Sequence, residues 1–245
     1  MPYDRRHVPT YHSWMQDPVR RSVASPCLDI FDSDLCQAIL EATASEPLTL
    51  EEEYENQESW RASHDKLTFI ICQPLETEGT GGIPVHAGGP DSPKKMVGDV
   101  NLFLSPYEEE DDLQLPSATP EFCEAEVDIM IAEQQHRAKG LGRAVMHAFL
   151  QYISRNLAGI MHEYADDKDM PTPPRLKVLM VKVGQINAGS IALFKSLGFE
   201  QVGGVDYFGE LKLVLRSLDQ FAAEVPEGYQ ELVYSRDNPN QDEQH

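Results

Sequence analysis

The chain reads as an α/β protein, a mixed β-sheet with helices packed against it, and three observations predict this. Residues 125–131 alternate strictly, with Ala125, Val127, Ile129 and Ile131 on one parity and Glu126, Asp128 and Met130 on the other. That is the two-residue period of a strand. From Gly140 the apolar residues Leu141, Val145, Ala148, Phe149, Tyr152 and Ile153 recur at helical steps, which marks a helix with one apolar face. Residues 175–183 then form a nearly continuous apolar run, suited to a central strand buried on both faces.

The remaining elements follow in order. Residues 4–17 read as a short helix. Thr49, with Glu52 three positions on, is a capping-box signature that opens a second helix in EEEYENQESW. LTFIIC (67–72) is a short apolar strand, the Gly- and Pro-rich stretch 75–95 a loop, and MVGDVNLFL (96–104) the next strand. Polar loops are expected at 106–121 and 159–175. A helix after Asn187 carries Ile191, Phe194 and Leu197 on one face, and Gly198 ends it as a left-handed cap. Residues 200–207 and 210–215 read as a hairpin around Gly209, followed by a short helix at 218–224 and a closing strand in YQELVY. One domain over 1–235 and a disordered tail at 236–245 complete the expectation.

Between strand and long helix lies Arg137-Ala138-Lys139-Gly140-Leu141-Gly142, followed by Arg143. Strand, glycine turn and helix together can hold a pyrophosphate, because free N–H groups and the positive end of the helix dipole point at the anion. The glycines admit close approach, and Arg137, Lys139 and Arg143 add charge. Such a turn alone is weak evidence; a second motif, N-x-x-S-x-x-L-F-x-x-x-G-F at 187–199, narrows it.

Taken together, E-x-x-x-M-I, R-x-x-G-x-G and this second motif resemble the GNAT superfamily of acetyl-CoA-dependent N-acetyltransferases. ASEPLTLEEEY (44–54), MVGDVNLFL (96–104) and EVDIMIAE (126–133) resemble its N-acetyltransferase 9-like branch, and the resemblance spans residues 2–18 and 41–217. It implies a centrally splayed sheet, parted at a bulge near Met130–Ala132. There the backbone of Met130, Ile131 and Ala132 would pair with the pantetheine arm, and one N–H would polarise the acetyl carbonyl. Arg137, Ala138, Lys139, Gly140, Gly142 and Arg143 would hold the pyrophosphate, and Asn187 would either bond the cofactor arm or cap its own helix. The resemblance also implies that the first edge strand is missing, with only Met1-Pro2-Tyr3 in its place and apolar helix faces left partly uncovered. Residues 19–40 stand out as an insertion relative to the family, either genuine or translated non-coding sequence.

For the amine, Glu126 and Asp128 share the strand face opposite the apolar parity. Histone-type members of the superfamily carry their base at the offset of Glu126, so Glu126 is the first candidate base and Asp128 the second. An α-amine, with a reference pKa of about 7.7–8.0, needs less help than lysine at about 10.4. The family's thiolate-protonating tyrosine is replaced by Phe194, which has no proton to give. Asp99 and Asn101 share a face of the neighbouring strand and could touch the amine or satisfy a turn.

Composition sets the outer limits. A net charge of −21 argues against nucleic acid as a partner. The acidic runs at 51–58 and 108–112 are either solvated surface or a field that attracts a basic segment. Four cysteines without C-x-x-C spacing predict neither a metal site nor a disulfide framework. No apolar run approaches the roughly 18 residues of a membrane span, and the first residues lack a secretory signal, so a cytoplasmic protein is expected. The resemblance implies protein or peptide amines as acceptors, with tubulin suggested by the family name. Two rivals stand beside it: a small-molecule amine acetyltransferase, and a non-catalytic module that binds the cofactor or microtubules.

Overall fold

The computed structural model describes residues 1–16, 48–74, 85–107, 121–223, 225 and 228–236. The expected insertion at 19–40, the acidic run at 108–112, and residues 237–245 of the expected tail lie outside them, as do Cys27 and Cys36.

Asp4 caps a 3₁₀ turn, Arg5–His7, that leads into helix α1 (Val8–Gln16). Helix α2 (Leu50–Ala62) begins at the predicted capping box: the Glu52 N–H donates to the Thr49 hydroxyl at 3.3 Å, and the Thr49 N–H donates to the Glu52 carboxylate at 2.7 Å. Strands β1 (Lys66–Cys72), β3 (Met96–Pro106) and β4 (Phe122–Ile131) form an antiparallel half-sheet. The short β2 (Val85–His86) lies between β1 and β3 in sequence, outside this sheet. Helix α3 (Leu141–Asp167) crosses to β5 (Arg175–Gly184), which pairs parallel with β4. Helix α4 (Ala188–Ser196) ends at Gly198, whose φ of +89° is the left-handed cap expected from sequence. The hairpin β6 (Glu200–Val205) and β7 (Glu210–Leu215) closes the sheet in the order β1-β3-β4-β5-β7-β6. Its turn is held by the Asp206 carboxylate, which accepts from the N–H groups of Phe208 and Glu210. The fold is thus α/β, a mixed six-stranded sheet with flanking helices.

The two sheet faces are covered differently. On one, α3 sets Met146, Phe149, Leu150 and Ile153 against Ala125 and Val127 of β4 and Leu179 and Val181 of β5. On the other, Val8, Tyr11 and Trp14 of α1 pack with Tyr3, Ile70, Met96, Met130 and Ala132.

Three expectations need correction. The long helix does not stop before residue 159 but runs to Asp167, because Ile160, Met161, Tyr164 and Ala165 continue its buried face past the exposed Gly159. The closing strand shrinks to β8 (Tyr234–Ser235), which pairs parallel with β2 and not with the main sheet; the short helix before it is α5 (Asp219–Ala223). The apolar face of α1 is not left uncovered: Val8, Tyr11 and Trp14 are all buried. At the β1 edge, Met1–Tyr3 forms one antiparallel bridge, with Tyr3 N–H donating to Thr68 O and Ile70 N–H to Met1 O. Among the described residues, no helix is long and apolar enough to cross a membrane.

Candidate active site

The sheet parts between β4 and β5. Their parallel pairing runs from Phe122 with Arg175 to Glu126 with Met180 and stops there. Beyond that point β4 continues against β3 as far as Ile131, while β5 continues against β7 as far as Gly184. The parting therefore starts at Glu126 and not at a bulge near Met130–Ala132. The β3–β4 register is unbroken through Ile131, and the irregularity in β4 lies at Cys123/Glu124, on the β5 side. Each strand keeps its outer neighbour and loses its inner one, which opens backbone groups between them without unravelling either half.

The open end of β4 is braced. Arg137 Nε donates to Ile131 O at 2.7 Å and its Nη2 to Ala132 O at 3.1 Å, so one guanidinium ties down two successive carbonyls at the end of β4. Gly98 sits opposite Ile131, and a Cβ there would fall 1.9 Å from Met130 O. Only glycine allows this approach of β3 to β4. Trp14 Nε1 donates to the Glu133 carboxylate at 3.0 Å and pins α1 to the same end.

The glycine turn lies just beyond. Ala138 and Gly140 both take left-handed backbone, with φ of +56° and +79°. A Cβ on Gly140 would meet nothing within 4 Å, so glycine is required there by conformation and not by space. No side chain caps α3, and its first backbone bond is Ala144 N–H to Gly140 O. The preceding N–H groups of the first turn therefore have no partner within the helix, and Lys139 and Arg143 beside them are both exposed. Arg143 Nη1 also donates to Ser196 Oγ at 3.2 Å, and Gly142 packs toward Leu193, tying the turn to α4. An uncapped helix N-terminus with an open glycine and two exposed cations fits the pyrophosphate of coenzyme A, and the parted sheet fits its extended arm.

The α1 side of the sheet carries the carboxylates. The register sets three rows across β1, β3 and β4: Lys66, Phe103 and Glu126; Thr68, Asn101 and Asp128; Ile70, Asp99 and Met130. Glu126 stands where β4 and β5 separate and accepts from Lys182 Nζ at 3.0 Å. Asp128 reaches solvent yet is hemmed in by protein, and this desolvation, with the charge of Glu126 second, raises its carboxyl above the usual range. Asp99 is buried; burial first, and then the charge of Asp128, pushes its carboxyl up to about 7. Asn101 Nδ2 donates to Asp99 Oδ2 at 2.6 Å, and Asn101 is paired in register with Asp128.

Of the other residues singled out in the sequence, Asn187 caps α4, its Oδ1 accepting from Ser190 N–H at 3.0 Å. Phe194 is buried edge-on against Phe199, with ring centroids 5.2 Å apart, so the position is part of the core. The sequence reading missed Gly98 as a contact point, the bond from Trp14 to Glu133, and the alignment of Thr68 with Asn101 and Asp128. The first and third depend on the β1–β3–β4 register, and the second on how α1 docks against the end of β4. Among the described residues, no cluster of His, Cys, Asp and Glu is placed to hold a metal ion.

Comparison with known proteins agrees with this geometry. The family model for the acetyltransferase (GNAT) domain matches residues 1–200, and the chain belongs to that family. Within it, the chain is 37% identical to the α/β-tubulin-N-acetyltransferase 9 of Drosophila melanogaster, over 87% of this chain and 80% of that one. It is 35% identical to the human protein of the same name, over 88% and 78%. It is 34% identical to an N-acetyltransferase 9-like protein of Dictyostelium discoideum, over 87% and 79%. A spermidine N-acetyltransferase chimera from Vibrio cholerae shares the fold at 13% identity, with a TM-score of 0.50 over 91% of this chain and 97% of that one. The chain is an acetyl-CoA-dependent N-acetyltransferase of the N-acetyltransferase 9-like kind.

Proposed function

We propose that this enzyme acetylates amines of proteins or peptides, N-terminal α-amines ahead of lysines, and that it works in the cytoplasm. The observation that carries the polypeptide acceptor is the β6–β7 turn. It stands at the end of the sheet where β4 and β5 are apart, with Tyr207 94% and Phe208 52% exposed. Two exposed aromatic rings beside an acetyl-transfer cleft offer a polypeptide an apolar contact that a polyamine has little use for. The names of the fly and human relatives make tubulin the first acceptor to try.

Acetyl-CoA, as substrate, supplies an acyl group already activated as a thioester. In this reading Lys139 and Arg143, with the backbone of Ala138, Gly140 and Gly142, hold its pyrophosphate at the start of α3. The N–H groups of the parted end of β4, Met130–Ala132, take the pantetheine arm, and Arg137 keeps that end straight by occupying the Ile131 and Ala132 carbonyls. Asn187 fixes the start of α4 beside them. Glu126 and Asp128 line the opposite face, draw in a protonated amine, and give its proton a route to solvent. Phe194 supplies no proton to the departing thiolate; the second proton of the amine takes that part.

The test is acetylation of three probes under one set of conditions: a lysine-free peptide with a free α-amine, the same peptide N-terminally blocked and carrying one lysine, and spermidine. The expected order of kcat/KM is α-amine, lysine, spermidine. Turnover of spermidine alone would replace this reading with a small-molecule acetyltransferase.

A further inference from the structure

On the α1 side of the sheet, one group of polar atoms has no partner. Asp99 Oδ1, Asn101 Oδ1, Thr68 Oγ1 and the Tyr3 hydroxyl are all buried without a hydrogen bond. Asp99 and Asn101 are each 2% exposed. Thr68 pairs with Asn101 and Asn101 with Asp128, while Asp99 lies one row further toward the open end of the sheet, beside Met130. A buried polar atom left unpaired costs on the order of 1–3 kcal/mol, so several on one face call for a ligand. The kind of ligand follows from the atoms. The 2.6 Å contact to Asp99 requires the nitrogen of the Asn101 amide to face the carboxylate, which leaves its oxygen outward. Asp99 Oδ1 and Asn101 Oδ1 are acceptors only, and the two hydroxyls can accept. An anion would meet the Asp99 carboxylate, with Asp128 behind it, whereas an ammonium group brings three N–H donors.

We propose that Asp99 is the group that takes the acceptor amine's proton, directly or through one water, with Asn101 holding its carboxylate in place and Asp128 leading the proton out. This assignment rests on the amine-acetylating function above and names the site within it. The Asp99 carboxylate removes one proton from the ammonium, and the freed lone pair attacks the thioester carbonyl carbon. The C–N bond forms and the C–S bond breaks. The thiolate takes the amine's second proton, and the proton on Asp99 leaves past Asp128, so an ammonium and a thioester become an amide, a thiol and one released proton. Glu126 is less suited to this part because the Lys182 ammonium sits on its carboxylate. The other charged or titratable groups around Asp99 are Asp128 from β4, Tyr11 from α1, Tyr3 from the β1 edge, and Glu53 of α2 beyond the two tyrosines, with His12 of α1 3.9 Å from Glu53. No lysine or arginine is among them to hold Asp99 ionised and weaken it as a base. Its carboxyl, at about 7, is poised near neutral pH.

The experiment compares wild type, Asp99→Asn and Glu126→Gln in acetyl transfer to the α-amine peptide from about pH 6 to about pH 9. Asp99→Asn is expected to lose about 100-fold in kcat together with the rate limb near neutral pH, while its KM for acetyl-CoA holds and its Tm does not fall. Glu126→Gln is expected to keep the limb. A neutral limb that survives in Asp99→Asn and disappears in Glu126→Gln would overturn the assignment and leave the acceptor reading intact. Should wild type turn over only spermidine, the protein-acceptor reading falls, and the same variants assayed on spermidine decide Asp99 by the same two signs.

Discussion

The two faces of the sheet are built on opposite terms. The α3 face is dry where it meets β4: Cys123, Ala125, Val127, Met146, Leu150 and Ile153 are at most 1% exposed, and close packing holds them. The α1 face is built from the same strands at the alternate residues, yet it carries Glu126, Asp128, Asp99 and Asn101, with buried acceptors left unpaired. A fold optimised for stability alone would not keep that second face. The difference separates what holds the enzyme together from what it does. Damage to the dry face should appear in stability with chemistry spared, and damage to the polar face should appear in chemistry with stability spared or improved.

The largest stability effect is expected on the dry side. Leu150→Ala should cost about 3–4 kcal/mol, read as a fall in Tm, with kcat per folded molecule unchanged. A similar loss of kcat in the folded fraction would break the separation. Asp99→Asn should show the opposite pattern. The folded carboxyl titrates at about 7, well above the unfolded value of about 3.9, so between these pH values the folded chain keeps a proton that the unfolded chain has lost. Wild-type stability therefore falls as pH rises from about 4 to about 7 and levels off above. Asp128 adds to the same trend, its carboxyl being raised as well. Asp99→Asn should be more stable than wild type at pH 8 and nearly equal at pH 4, as followed by denaturant melts. A gap that does not change with pH would contradict the buried carboxyl. The smallest effect belongs to Glu126→Gln. Its pair with Lys182 has side chains 30% and 44% exposed, and its loss should change stability by less than about 1 kcal/mol.

Much of this division was legible in the sequence, because alternation in 125–131 already separated the apolar parity from the acidic one. The capping box at Thr49, the left-handed Gly198 and the glycine turn before α3 were legible for a local reason: each depends on residues within one turn of chain. What escaped depends on partners far apart in sequence. The sequence places the end of α3 too early because Asp166, Asp167 and the prolines at 171, 173 and 174 read as a loop, while the buried contacts of Met161 and Tyr164 outweigh a helix penalty of about 1 kcal/mol for Gly159. Arg137 read as a phosphate ligand, and its guanidinium proved to be turned back on the Ile131 and Ala132 carbonyls. Asp99 reads as a residue that touches the amine or satisfies a turn, since nothing in a single strand shows that it lies beside a row of Thr68, Asn101 and Asp128 across three.

The most direct test of the whole account is calorimetric titration with acetyl-CoA of wild type, Gly140→Asp and Asp99→Asn. Gly140→Asp sets a carboxylate at the uncapped start of α3 and strains its left-handed backbone, and should abolish binding. Wild type and Asp99→Asn should bind alike and saturably, each gaining about 2.7 kcal/mol at a ligand concentration one hundred times Kd. Equal binding by Gly140→Asp would remove the pyrophosphate from the α3 turn. Binding lost in Asp99→Asn would show that the two faces do not divide the work as described.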